Sequence, residues 1–233
     1  MSAAEPPADF GANGSGLDSA FPSLPPGRHQ LPADFVATYQ RQRIVAALIG
    51  TVRDRGPVAI TVTDVVKAAG ISRRTFYEHF GDVDECFDFA CDRAFEFFFD
   101  PFVAAYDTAA GPWAERLNGA LAALLAALAK EPFLGELCLL HSQARQRDRR
   151  TYRRAVDAVA AVLRGARAVT TSVLEPPELG EELLAGGALA LIVARLAGGE
   201  GEGLEDLAPR LTDLLRAPLE LEAANWRVPA LLR

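Results

Sequence analysis

Residues 61–87 read TVTDVVKAAGISRRTFYEHFGDVDECF, and the fold follows from how that stretch divides. Thr61 with Asp64 three residues on has the form of a capping box, Asp standing in for the usual Glu or Gln. Val62, Val65, Val66 and Ala69 recur at i, i+3, i+4 and i+7, one apolar face of a helix. Gly70 sits where a residue with positive φ ends a helix at little cost. Ser72 then caps a second helix.

That second helix is under ten residues long, too short to persist alone, so its neighbours must hold it. At 100° per residue, Phe76 and Phe80 fall together and face inward. Arg74, Thr75 and Glu78 point away from them, and Arg73, Tyr77 and His79 flank the exposed side. Basic, hydroxyl and aromatic groups thus crowd one outer surface. That arrangement suits a helix-turn-helix whose second helix enters the major groove.

The run Gly70-Ile71-Ser72-x-x-Thr75-Phe76-Tyr77-x-His79-Phe80 resembles the DNA-binding signature of TetR-family transcriptional regulators, closely over residues 38–92 and loosely beyond. The resemblance implies an all-α fold: an N-terminal three-helix helix-turn-helix domain, then a larger helical ligand-binding and dimerisation domain. It implies a homodimer on a palindromic double-stranded operator, usually a repressor released by a small-molecule effector. Matched residue by residue, Arg73, Arg74 and Tyr77 become base-edge readers, since Arg takes guanine O6 and N7 bidentately and Tyr can meet a thymine methyl or a phosphate. Thr75 and His79 match backbone-holding positions; Thr61 and Thr63, at the start of the preceding helix, and Lys67 complete the expected phosphate contacts. Two residues depart from the pattern. Val83 stands where the family has a Lys that touches the DNA backbone, and Val66 where it usually has Ala.

Charge is distributed to match. The chain carries a net −7 over 233 residues. Between Arg28 and Phe80, however, eight Lys/Arg face four acids, leaving the remainder at −11. A basic end and an acidic body orient a protein on DNA. Hydrophobic residues make up 50% of the chain, as in an ordinary globular protein. No apolar run reaches the roughly eighteen residues of a membrane span, and no basic-then-apolar signal opens the chain, so a cytoplasmic location is expected. Cys86, Cys91 and Cys138 include no CxxC pair. Cys138 and His141 are three apart, a spacing that could share a metal, but no further ligands lie near and buried thiols are the simpler reading. No cofactor is implied.

Working outward, residues 1–30 are rich in Pro and Gly without periodicity and read as a flexible segment, closed by Arg28, which could act as a minor-groove arm or as a solvated linker charge. The DNA-binding domain spans 31–81. Its first helix runs from about Pro32 to Arg53 with Phe35, Tyr39, Ile44, Ala47, Leu48 and Val52 inward; Arg41 and Arg43 either meet phosphates or solvate the outer face. The effector-binding and dimerisation domain spans 82–222, and a tail 223–233 follows. Asp82 with Glu85 reads as another capping box, and Pro101 is expected to kink or end the helix that begins there.

Trp113 to Lys130 carries a leucine stripe, and Pro132 starts a helix with Phe133, Leu137 and Leu140 inward. The candidate effector pocket is Phe98, Phe102, Trp113, Leu121, Leu125, Phe133, Leu137 and His141. The basic run from Arg145 to Arg154 reads as a helix-helix turn and a solvated face. Leu183 to Ala194 is uncharged, includes Gly186-Gly187, and reads as a buried helix open to close approach by a partner. With the last helix it supplies the expected dimer seam: Leu183, Gly187, Leu191, Leu207, Leu211 and Leu214.

Ligand and DNA must favour different dimer geometries for the effector to act. The reading helices need to lie ~34 Å apart, and a shift of the fourth helix would alter that separation. An enzyme is not expected: the chain holds no GxSxG, P-loop, HExxH or Rossmann glycine set. The alternative is a helical protein–protein interaction module using Leu183 to Leu219 without DNA; it leaves the shared face of Arg73, Arg74, Tyr77 and His79 unexplained.

Overall fold

A computed structural model describes residues 33–145, 150–168, 180–199 and 203–219. The 1–30 segment with Arg28 and the 223–233 tail lie outside the described residues. Among the described residues every regular element is a helix. In order they are α1 (Ala33–Arg55), α2 (Val62–Ala69), α3 (Arg73–Tyr77), α4 (Val83–Thr108), α5 (Trp113–Lys130) and α6 (Pro132–Glu136). A π-helical turn (Leu137–His141) follows, then α7 (Ser142–Arg145), α8 (Arg150–Ala168), α9 (Gly180–Ala197) and α10 (Leu207–Leu219).

The helix-turn-helix forms for the local reasons its residues carry. Thr61 is extended and accepts from the Asp64 amide, while the Asp64 carboxylate takes the Thr61 amide at 3.0 Å. Gly70 ends α2 at φ 62°, and the Ile71 amide closes the turn on the Val66 carbonyl at 3.1 Å. The Ser72 hydroxyl accepts from the Thr75 amide at 3.0 Å and starts α3. Ile44, Val45, Leu48, Ile49 and Val52 of α1 meet Val65, Val66, Phe76 and Phe80 in one core. Val45 and Ile49 thus join the inward face of α1, while Tyr39 and Ala47 are only half-buried.

α4 runs from that small domain into the body. Asp82 caps it through the Glu85 amide at 2.8 Å, but the Glu85 carboxylate returns to the Gly81 amide, at 2.6 Å, rather than to Asp82. Pro101 does not end α4. It sits exposed while Phe98, Phe99, Phe102 and Tyr106 around it are buried, and that burial outweighs the one backbone hydrogen bond proline removes. In the body α4 packs along α5, α8 pairs with α9, and α10 lies on α5.

The helix after Pro132 also differs from a simple amphipathic reading. Leu134, Leu137, Cys138 and Leu139 are the buried apolar side chains, while Phe133 and Leu140 are half-buried. The π turn at Leu137–His141 widens one turn by a residue and resets the phase, so α-helical spacing misassigns the face beyond it.

Candidate nucleic-acid interface

α3 is five residues long and is held from one side. Phe76 and Phe80 are fully buried, with ring centroids 5.9 Å apart, and Phe80 meets Phe89 of α4 at another 5.9 Å. Arg41 closes this cluster from α1. Its guanidinium lies 4.2 Å from the Phe89 centroid and 4.8 Å from that of Phe80. Arg41 is therefore a packing cation over two rings, not a solvated or phosphate-facing one.

The opposite side of α3 is open. Arg73, Arg74 and Tyr77 are all exposed, Tyr77 at 56% despite its size, with its ring edge-on to Phe76 at 5.6 Å. The Arg73 guanidinium donates to the Thr63 hydroxyl at 2.7 Å, and Arg74 pairs with Glu78 one turn on at 3.1 Å. Lys67, on the last turn of α2, is exposed, and Arg43 brings its guanidinium against the Gly70 turn. The two helices thus share a cationic rim with an aromatic at its centre, the chemistry suited to phosphates and base edges.

The hydroxyl and imidazole candidates are placed less uniformly. The Thr61 hydroxyl donates to Asp64 at 2.6 Å, and Asp64 also accepts from Arg55 at 2.7 Å. The Thr61 hydroxyl and amide, with Arg55, hold the Asp64 carboxyl below its ordinary range. Both Thr61 donors, hydroxyl and amide, are thus spent on Asp64, and Thr61 meets a phosphate only by releasing that carboxylate. Thr63 keeps its hydroxyl proton free to donate, because it serves Arg73 as acceptor. Thr75 shares a hydrogen bond with Ser72 across 2.9 Å, and both Thr75 and His79 are half-buried at the rim.

The family model of bacterial regulatory proteins, tetR family, matches residues 44–88, the span from the middle of α1 to the first turns of α4. Over those residues the chain carries the N-terminal domain described by that family model. Solved TetR-type structures share the fold over most of their length. The fatty acid degradation regulator FadR from Bacillus halodurans is 16% identical, with 76% of this chain and 94% of that one covered at a TM-score of 0.63. A TetR-like transcriptional regulator from Rhodococcus sp. RHA1 is 22% identical, covering 81% and 99% at 0.58. A TetR family transcription regulator from Marinobacter aquaeolei VT8 is 20% identical, covering 76% and 93% at 0.56. No curated protein matches the chain. The chain thus has the all-α fold and the helix-turn-helix domain of TetR-family transcriptional regulators.

In a TetR-type body the pocket candidates divide in two. Phe98, Phe102, Trp113, Leu121, Leu125 and Leu137 are buried in the continuous core. Phe133 and His141 are half-buried, their rings 5.9 Å apart. Phe133 lies under the Arg53 guanidinium, 4.7 Å from its centroid, and lines an open groove of about 1140 Å³ with Arg53, Lys130, Glu136 and Leu196. His141 stands 3.7 Å from Glu136, yet burial dominates and lowers its pKa. All three cysteines are buried, and burial pushes each thiol well up from its ordinary range, so none is poised as a thiolate.

The seam candidates also divide. Leu183, Gly187 and Leu191 form an exposed stripe on α9, and Leu214 of α10 is exposed too. Among the described residues a Cβ at Gly186 or Gly187 would meet nothing within 4 Å, so none of them uses the close approach those glycines permit. Leu207 is half-buried, and Leu211 turns into the chain's own core. Among the described residues no helix is long and apolar enough to cross a membrane.

The basic run holds what sequence reading missed. Arg150 reaches Asp88 and Asp92 of α4 at 3.4 and 3.2 Å, and Arg154 reaches Asp92 at 3.0 Å while covering the Phe95 ring. Arg145 is nearly buried and bonds α4 and the α1–α2 loop. Residues 146–149 lie outside the described ones. A signal was present in the sequence: Asp84, Asp88 and Asp92 form an i, i+4, i+8 acidic line that matches these arginines in number.

Proposed function

We propose that the chain is a sequence-specific DNA-binding regulator acting as a homodimer, a repressor released from its operator by a small-molecule effector. The observation that carries the reading is the division of α3: Phe76 and Phe80 anchor it inside, while Arg73, Arg74 and Tyr77 are exposed on the outer face. In this reading residues 31–81 form the DNA-binding domain and 82–222 the effector-binding and dimerisation domain. Arg73, Arg74 and Tyr77 read base edges, and Thr61, Thr63, Lys67, Thr75 and His79 hold the backbone. Leu183, Gly187, Leu191 and Leu214, bare in the single chain, meet their symmetry mates. Of the pocket candidates Phe133 lines the open groove, and the half-buried His141 ring lies 5.9 Å from it.

The test is selection of bound duplexes from a random-sequence pool by the purified chain, followed by titration of the enriched sequence. Enrichment of a two-fold-related site, with affinity lost in Arg74→Ala, supports the reading. Retention of duplexes without sequence enrichment, or of none, refutes it.

A further inference from the structure

Arg145 ends the 132–145 segment of the body, and its side chain is only 13% exposed. Its Nε donates to Asp84 in the first turn of α4 at 2.7 Å. One terminal nitrogen donates to the Pro57 carbonyl, and the other reaches that of Ile60 at 3.4 Å. The guanidinium also lies 5.6 Å from the Phe87 ring centroid. A single planar fork therefore joins the body to the loop between α1 and α2 and to the start of α4, groups 58 to 88 residues away in the chain. The other end of the same segment is gripped in the reverse sense, with Arg53 of α1 laid over Phe133.

These contacts bear on how the small domain sits. α4 connects it to the body covalently, but a single helix leaves the domain free to swing about the first turns. Carbonyls of the α1–α2 loop bound by this largely covered guanidinium oppose that swing, because release gives up charge-assisted hydrogen bonds. The Asp84 carboxylate is 60% exposed and can be altered without opening the core.

We propose that Arg145 is a positioning residue that fixes the angle of the helix-turn-helix domain on the body, and through it the spacing at which the paired reading helices meet DNA. The inference rests on the dimeric regulator reading. In a dimer a small rotation at this joint is carried to the far end of each domain, where α3 lies. Half-site spacing records that rotation, whereas the base preference within one half-site depends on the local residues of α3.

The experiment uses the full-length chain and its selected operator, with one or two base pairs inserted or removed between the half-sites. Fluorescence anisotropy gives the affinity for each spacing. The wild type should lose about tenfold per altered base pair, the scale of an ordinary mismatch. Arg145→Ala should flatten that profile and leave the preference within each half-site unchanged. Asp84→Asn, which removes the ion pair without a core change, should broaden the profile in the same direction and serves if Arg145→Ala does not fold. Variants that keep the wild-type spacing profile overturn the inference alone, as does a wild type with a flat profile. A wild type that enriches no duplex sinks the regulator reading first, and the inference with it.

Discussion

The guanidinium of Arg73 donates to the hydroxyl of Thr63 across 2.7 Å, tying the first residue of α3 to the second of α2. The bond holds a flexible cation at the rim before any duplex arrives, so less rotamer freedom remains to be lost on binding. We expect Thr63→Val, which keeps the shape and removes the acceptor, to weaken operator binding by about 0.5–1.5 kcal/mol, the usual net worth of one hydrogen bond. Combined with Arg73→Ala in a double-mutant cycle, the two losses should not add. Additive losses in anisotropy titrations would show that Thr63 does not act through Arg73.

Arg74 has a different partner and a different expected signature. Its pair with Glu78 is exposed and worth little, so a base edge can displace it readily. Arg74→Ala should cost ~1–3 kcal/mol of operator affinity and relax the preference at one base pair in each half-site. A uniform loss over all sequences would make Arg74 a phosphate contact instead.

Gly70 joins the two helices at φ 62°, and a Cβ there would stand 3.3 Å from an Arg43 guanidinium nitrogen. Left-handed backbone costs a non-glycine residue roughly 1–2 kcal/mol. Gly70→Ala should lower stability by about that amount in denaturant titration, and operator affinity should fall because α3 is reoriented. Unchanged stability would mean that the turn relaxes out of the left-handed region.

The features readable in the sequence are those whose causes lie within a few residues. The bonds made at Thr61, Gly70 and Ser72 all span three to five positions, so composition and spacing reveal them. Phe76 and Phe80 follow from helical phase alone. The arginines were opaque for the opposite reason. Arg41 is defined by rings at Phe80 and Phe89, and Arg145 by carbonyls at Pro57 and Ile60, contacts that exist only once the helices are assembled. The 132–145 segment defeated phase counting because its π turn adds a residue to one turn. Leu211 and Leu214 share one leucine pattern, yet one faces the core and the other solvent, since α10 presents only part of its surface to α5.

His141 makes stability depend on pH in a defined direction. Burial lowers its pKa from the ordinary 6.5, against a smaller opposing effect of Glu136. Below pH 6.5 the unfolded chain takes up a proton that the folded chain resists. The contribution of this histidine is therefore fully present above 6.5 and is lost as the pH falls from there through the folded value. His141→Gln should remove this component. The melting temperature of the wild type should drop more steeply than the variant's between about pH 7.5 and 5.5, because that interval spans the unfolded pKa. Parallel slopes would mean that His141 does not resist protonation in the folded chain.

The bare stripe on α9 gives the last expectation. Leu183 is 77% exposed and Leu191 50%, with Gly187 between them and Leu214 of α10 60% exposed. Soluble monomers seldom leave such large side chains aligned in water, and a second copy of the same face covers them by symmetry. Leu191→Glu places a charge in that seam without touching the inward face formed by Ala185, Ala188, Leu189 and Ile192. Sedimentation should then show a monomer where the wild type is a dimer, with helical content by circular dichroism retained. Operator affinity should fall steeply, because two half-sites can no longer be held at once. A Leu191→Glu chain that still sediments as a dimer would place the seam elsewhere on the body.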